Sequence, residues 1–136
     1  MSCIFCQIVN GELPSHKVYE DDQVLAFLDI APVSRGHILV IPKEHTESLL
    51  TMTAEQTAVL FSVAQKIAKA IEQALDPQGI NLGMNNGFGA GQIVAHAHIH
   101  IIPRFAGDGL KLWSGRDGLY KEDEAEGIAK KIRSLI

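Results

Sequence analysis

His96-Ala97-His98-Ile99-His100-Ile101-Ile102, closed by Pro103, alternates imidazoles with small or aliphatic side chains. A period of two marks a half-buried β-strand. On a strand, successive residues face opposite ways, so His96, His98 and His100 share one face and Ala97, Ile99 and Ile101 the other. Half of the chain's six histidines thus lie on one ribbon of backbone. Packing gives little reason for that, because imidazole is only intermediately buried in proteins and both ring nitrogens need partners. The pattern fits a histidine-rich exposed edge strand, a metal site, or an imidazole used as nucleophile or acid/base.

Immediately upstream, Asn86-Gly87-Phe88-Gly89-Ala90-Gly91-Gln92 is a glycine-rich loop, and glycines let backbone N–H groups approach an anion closely. The loop matches neither a Walker sequence nor a dinucleotide fingerprint, and a plain hairpin loop has the same composition. Its place beside three histidines favours phosphate. Ile80-Asn81-Leu82-Gly83-Met84-Asn85 alternates like a strand. Thr53-Ala54-Glu55-Gln56 reads as a capping box, and from there Val59, Leu60, Val63, Ile67, Ile71 and Ala74 recur at helical spacing until Asp76-Pro77-Gln78-Gly79. Residues 36–42 form a buried strand between Gly36 and Pro42, with His37 at its start as a core histidine or a member of a site. Lys17-Val18-Tyr19-Glu20 and Val24-Leu25-Ala26-Phe27-Leu28 read as a hairpin across Asp21-Asp22. Asp29 just beyond it can cap a turn or accept bonds from ligand hydroxyls.

Near the start, Cys3-x-x-Cys6 sits in a short helical turn before Asn10-Gly11. A thioredoxin-like redox pair, two buried structural thiols and half of a zinc site are all compatible with that spacing. His45 and His96 are candidate partners for the cysteines. Downstream, Arg104 either contacts an anion or faces solvent, Trp113 lies in an irregular stretch, and residues 122–136 read as a terminal helix with Ile128, Ile132 and Leu135 on one face.

The chain has 136 residues, the size of a single domain spanning 1–136, with 46% hydrophobic and 21% charged residues, as in ordinary globular proteins. A net charge of −4 without a basic stripe argues against nucleic acid as the main partner but leaves room for a small nucleotide. Neither a signal peptide nor a transmembrane helix is indicated, so no membrane partner is expected, a disulfide is disfavoured, and the expected location is cytoplasmic.

Side chains two apart on a strand start about 7 Å from each other, so two imidazoles can bend toward one zinc but three would have to converge sharply. At least one histidine should therefore do something else. Neutral imidazole is a competent nucleophile, and its attack on phosphorus splits one hard step into two easier ones.

The triad, with Gly91-Gln92 before it and Gly36-His37 upstream, resembles the histidine triad (HIT) family of nucleotide-binding hydrolases and transferases, over most of the chain from Cys3 to about Arg104. The resemblance implies an α+β fold: a five-stranded antiparallel sheet with one long helix, a short N-terminal helix and a C-terminal helix. It also implies a homodimer with a continuous ten-stranded sheet. By position, His98 matches the family nucleophile, and His100 and His37 match residues that support it. Asn85 matches a phosphate-side amide, Gln92 a residue near the phosphate and leaving group, and Asp29 the acid that holds the ribose hydroxyls. Phe27 and Ile30 fall where the purine pocket is built. Cys3, Cys6, His45 and His96 correspond to a structural zinc site; no organic cofactor is implied. One position departs from the family, which often carries Ser or Thr after Gln92 where this chain has Ile93.

The leading expectation is a purine nucleotide (AMP/GMP-type) phosphohydrolase that cleaves at the α-phosphate of adenosine phosphoramidate or dinucleoside polyphosphate substrates. It would act through a covalent nucleotidyl-His98 intermediate, with His96 and His100 as further catalytic candidates. The alternatives are a nucleotide-binding regulatory protein with weak turnover and a zinc hydrolase using the triad as ligands.

Overall fold

A computed structural model describes residues 3–136. A short helix, α1 (Ile4–Val9), carries the cysteine pair into the hairpin of β1 (Lys17–Glu20) and β2 (Val24–Leu28), and β3 (Ile38–Pro42) follows. The hairpin turn is closed by Asp21, whose Oδ1 accepts the N–H groups of Gln23 at 2.7 Å and Val24 at 2.8 Å. The long helix α2 (Ala54–Leu75) begins where the capping box places it. Gln56 N–H donates to Thr53 Oγ1 at 3.1 Å, and Thr53 N–H donates back to Gln56 Oε1 at 2.9 Å. The chain continues through β4 (Gly79–Gly83), β5 (Ile99–Arg104) and α3 (Glu124–Arg133). The five strands form one sheet in the order β1-β2-β3-β5-β4, every neighbouring pair antiparallel. This is the α+β architecture expected.

The two faces of the sheet do different work. Val24, Ala26, Ile38, Val40, Ile99 and Ile101 pack on one face against Leu60, Val63, Ile67 and Ile71 of α2. Leu25, Phe27, Leu39 and Ile41 point the other way and are covered by Phe5 and Ile8 of α1. In β5 the alternation holds: Ile99 and Ile101 are fully buried under α2, and His100, paired with Leu39 on β3, faces the α1 side.

The strand is shorter than its sequence pattern suggests. It opens at Ile99, so His96 and His98 lie in the segment leading into it. Ala97 N–H donates to Thr46 O at 2.7 Å and His96 N–H to Val94 O at 2.8 Å. The first bond ties this segment to the loop after β3 instead of to a sheet ladder, the second folds it on itself, and the departure lets the His96 ring reach the cysteines. No helix among the described residues is long and apolar enough to cross a membrane.

Gly36 sits at φ +90°, and a Cβ there would run into the Leu75 side chain at the end of α2. The positive φ is what favours glycine here, and a Cβ would also oblige the Leu75 side chain to move. Gly36→Ala should cost about 1–3 kcal/mol, read as a lower urea midpoint at unchanged slope. A midpoint equal to wild type would show that the turn relaxes without loss.

Candidate active site and metal centre

Two side-chain clusters flank the segment before β5. In the first, single ligand atoms from Cys3, Cys6, His45 and His96 all lie within 4.8 Å of one another. Nδ1 of His96 is 3.4 Å from Cys3 Sγ, 3.6 Å from Cys6 Sγ and 3.2 Å from His45 Nδ1, and Cys6 Sγ is 3.4 Å from His45 Nδ1. A tetrahedral zinc with bonds of about 2.0 Å to nitrogen and about 2.3 Å to sulfur sets its ligands about 3.3 Å (N···N) and about 3.5 Å (S···N) apart. The four residues fit such an ion. Nε2 of the buried His96 donates to Pro42 O at 2.8 Å, which leaves Nδ1 with its lone pair toward the cluster. Burial and the adjacent Cys3 push the Cys6 thiol up from its ordinary range; a cation among the ligands would reverse that.

The second cluster contains the imidazoles of His37, His98 and His100. Nδ1–H of His98 donates to the carbonyl of His96 at 2.7 Å, so Nε2 of His98 holds a free lone pair. Val33 N–H donates to His37 Nδ1 at 3.1 Å, which puts the His37 hydrogen on Nε2. That hydrogen is given to His100 Nδ1 at 2.9 Å, and the proton of neutral His100 therefore sits on its own Nε2. The His98 and His100 rings meet at a centroid distance of 4.9 Å. His37, His98 and His100 thus each have their tautomer set by a neighbour.

Burial favours the neutral form of His37, His96 and His100. His100 is pushed down to about 4 by burial and by the nearby His98 and His37. His37 is lowered mainly by burial, partly offset by the Asp29 carboxylate. His96 is lowered by burial as well.

The other expected site residues divide. Oδ1 of Asp29 caps its own turn, accepting Ala31 N–H at 2.9 Å, while Oδ2 lies 3.6 Å from His37 Nε2. Phe27 is buried edge-on against Phe5, whereas Ile30 is 88% exposed. Asn85, His37 and His100 line a cleft of about 410 Å³ whose far wall includes Lys111 and Trp113. The Gln92 amide is turned inward: Oε1 accepts Gly87 N–H at 2.8 Å, and Nε2 donates to Glu47 O at 2.6 Å and Val94 O at 3.0 Å. It buckles the glycine-rich loop to the 46–48 segment. Arg104 is largely covered and spends its guanidinium on partners within the chain. It forms a bidentate pair with Asp108 at 2.8 and 3.0 Å and also donates to Asn81 Oδ1 and Leu110 O.

Phe5 was not singled out from the sequence, yet its ring meets His96 and His98 edge-on at 5.8 and 5.1 Å. The signal available was its position between two candidate metal ligands.

The family model for the HIT domain matches residues 10–107. The chain belongs to the HIT family. The crystal structure of a HIT family member from Bacillus subtilis superposes with a TM-score of 0.93 at 43% identity, covering 100% of this chain and 98% of that one. Among curated relatives, the adenosine 5'-monophosphoramidase hnt1 of Schizosaccharomyces pombe is 48% identical over 104 residues, 76% of this chain and 75% of its own. A Zn-bound histidine triad family protein from Mycobacterium smegmatis superposes with a TM-score of 0.77 at 39% identity, covering 100% of this chain and 99% of that one.

A depressed histidine pKa has a stability consequence with a definite sign. Below 6.5 an unfolded histidine takes a proton that folded His100 refuses until about pH 4, so stability falls as the pH drops through that window. Thermal melts of wild type and His100→Asn between those limits should show the steeper acid loss in wild type. Parallel curves would mean that His100 titrates alike in both states.

Proposed function

We propose that this HIT protein hydrolyses purine nucleotides at the α-phosphate, with His98 as nucleophile. The hydrogen bond from His98 Nδ1–H to the His96 carbonyl carries this reading, since it leaves Nε2 as a fixed, unprotonated nitrogen. Nε2 attacks phosphorus, a P–N bond forms, and the bond to the leaving group breaks. Water then attacks the same phosphorus, the P–N bond breaks, and a nucleoside monophosphate is released with His98 regenerated. His100, oriented by His37, donates to the phosphate oxygens as charge develops, and Asn85 lies on the same cleft. Phe27, Ile30 and Asp29 are assigned to the nucleoside. Asp29 offers Oδ2 to the ribose hydroxyls, because Oδ1 is engaged in its turn. Gln92 acts by holding the loop in shape. The activity named for the S. pombe relative supports the same reaction class, with adenosine phosphoramidate and dinucleoside polyphosphates as the substrates to try.

We assign Cys3, Cys6, His45 and His96 to a zinc ion, on the fit of their spacings and the Zn-bound relative. Zinc there would be structural, cross-linking α1 to the segment before β5 with all four positions taken by protein. Pairing of two copies through the exposed outer edge of β4 would extend the sheet to ten strands.

A second reading, a nucleotide-binding regulatory protein with weak turnover, is favoured by Ile93. That side chain is 92% exposed and has no proton to give a leaving group, in a position where the family often carries a hydroxyl.

The reading is tested with His98→Ala against adenosine phosphoramidate and diadenosine polyphosphates. Loss of the covalent route should lower kcat/KM by about three orders of magnitude or more, and wild-type-like AMP release from the variant would sink it. Tight AMP binding by wild type without turnover of any substrate would favour the regulatory reading. For the metal, elemental analysis of protein purified without added zinc should give one zinc per chain and none in Cys3→Ser/Cys6→Ser.

A further inference from the structure

The C-terminal helix α3 has almost nothing of its own chain to lean on. None of its ten residues is buried, and only Ala129 is partly covered. Helices shorter than about 12–15 residues are marginal in water without tertiary packing. Yet Ala125, Ile128, Ala129 and Ile132 recur at i, i+3, i+4 and i+7, and Leu135 and Ile136 continue the stripe. Ile128 is 41% exposed, Ile132 55% and Leu135 81%. Such a stripe is built to be covered, and the small Ala125 and Ala129 would let another helix come close.

The charges on α3 say what covers it. Glu122, Asp123, Glu124 and Glu126 lie at or before its first half, and Lys130, Lys131 and Arg133 lie in its second. This order suits the helix dipole, and Arg133 bonds Glu126 within the helix at 2.8 Å. The dipole does not account for the apolar stripe. A helix that is acidic at one end and basic at the other is complementary to itself turned end for end, because acid then faces base on both sides of the stripe.

We propose that α3 packs antiparallel against α3 of a second copy of this chain, stripe to stripe, with the acidic half of each beside the basic half of the other. This contact is separate from pairing at the β4 edge and does not depend on the nucleotide reading.

Two charge variants of the full chain test it, and because the altered side chains are exposed the fold should be retained. One carries Glu124→Lys and Glu126→Lys, the other Lys130→Glu, Lys131→Glu and Arg133→Glu. Sedimentation velocity should show each alone associating at least roughly tenfold more weakly than wild type, and a one-to-one mixture recovering the lost affinity. Ile128→Glu/Ile132→Glu should weaken self-association and lower helical ellipticity, with no rescue by mixing. A mixture no tighter than its components would overturn the proposal. So would a wild type that stays monomeric, or variants that all associate like wild type, the result expected if the β4 edge alone joins the copies or if α3 serves a foreign partner.

Discussion

The 2.7 Å hydrogen bond from His98 Nδ1–H to the carbonyl of His96 is the contact on which the site depends. It fixes one tautomer of His98 and aims the other nitrogen's lone pair outward. The acceptor is a backbone oxygen, so its position is only as firm as the backbone of His96. That backbone is held on several sides. The His96 N–H turns onto Val94 O, the ring reaches Pro42 O through Nε2, and Nδ1 sits among two sulfurs and another imidazole. Phe5, from the same short helix as Cys6, then closes against both rings. The cluster of Cys3, Cys6, His45 and His96 and the lone pair of His98 are thus joined through one residue, His96.

His37 and His100 obey the same rule of one donor and one acceptor per neutral ring. Val33 N–H fixes His37, and His37 fixes His100. Burial keeps the rings neutral, which this arrangement needs. A protonated His37 could no longer accept from Val33, and a protonated His100 could no longer accept from His37. The Asp29 carboxylate near His37 opposes the effect of burial without cancelling it.

How much of this was legible in the sequence follows from how local each signal is. The capping box, the helix stripe and the hairpin are encoded within a few residues of themselves, and α2, β1 and β2 appear where those signals put them. The start of β5 was not legible, because it depends on Thr46 capturing the Ala97 N–H from another part of the chain. The cysteine pair was ambiguous for the same reason: only the fold brings His45 and His96 to it. The intramolecular partners of Arg104 and Gln92 were not legible either. A polar side chain near a site reads as a ligand contact, yet both are consumed by backbone or ion-pair partners that loops create. Phe5 carries no local signal of its own, and its neighbours are what distinguish it.

The period-two pattern in β5 also explains why fold and site are specified together. A slip of one residue in the pairing of β5 with β3 would turn Ile99 and Ile101 out from under α2 and drive His98 and His100 into the aliphatic core. Burying two imidazoles without partners costs far more than a sheet of this size can spare, while exposing two isoleucines forfeits about 1.5–3 kcal/mol each. The aliphatic face therefore sets the register, and the register sets which imidazoles meet. His37 inherits its place from the same constraint, since it precedes β3 by one residue and shares the face of Leu39, the partner of His100. The geometry of the second cluster is in this sense a by-product of core packing.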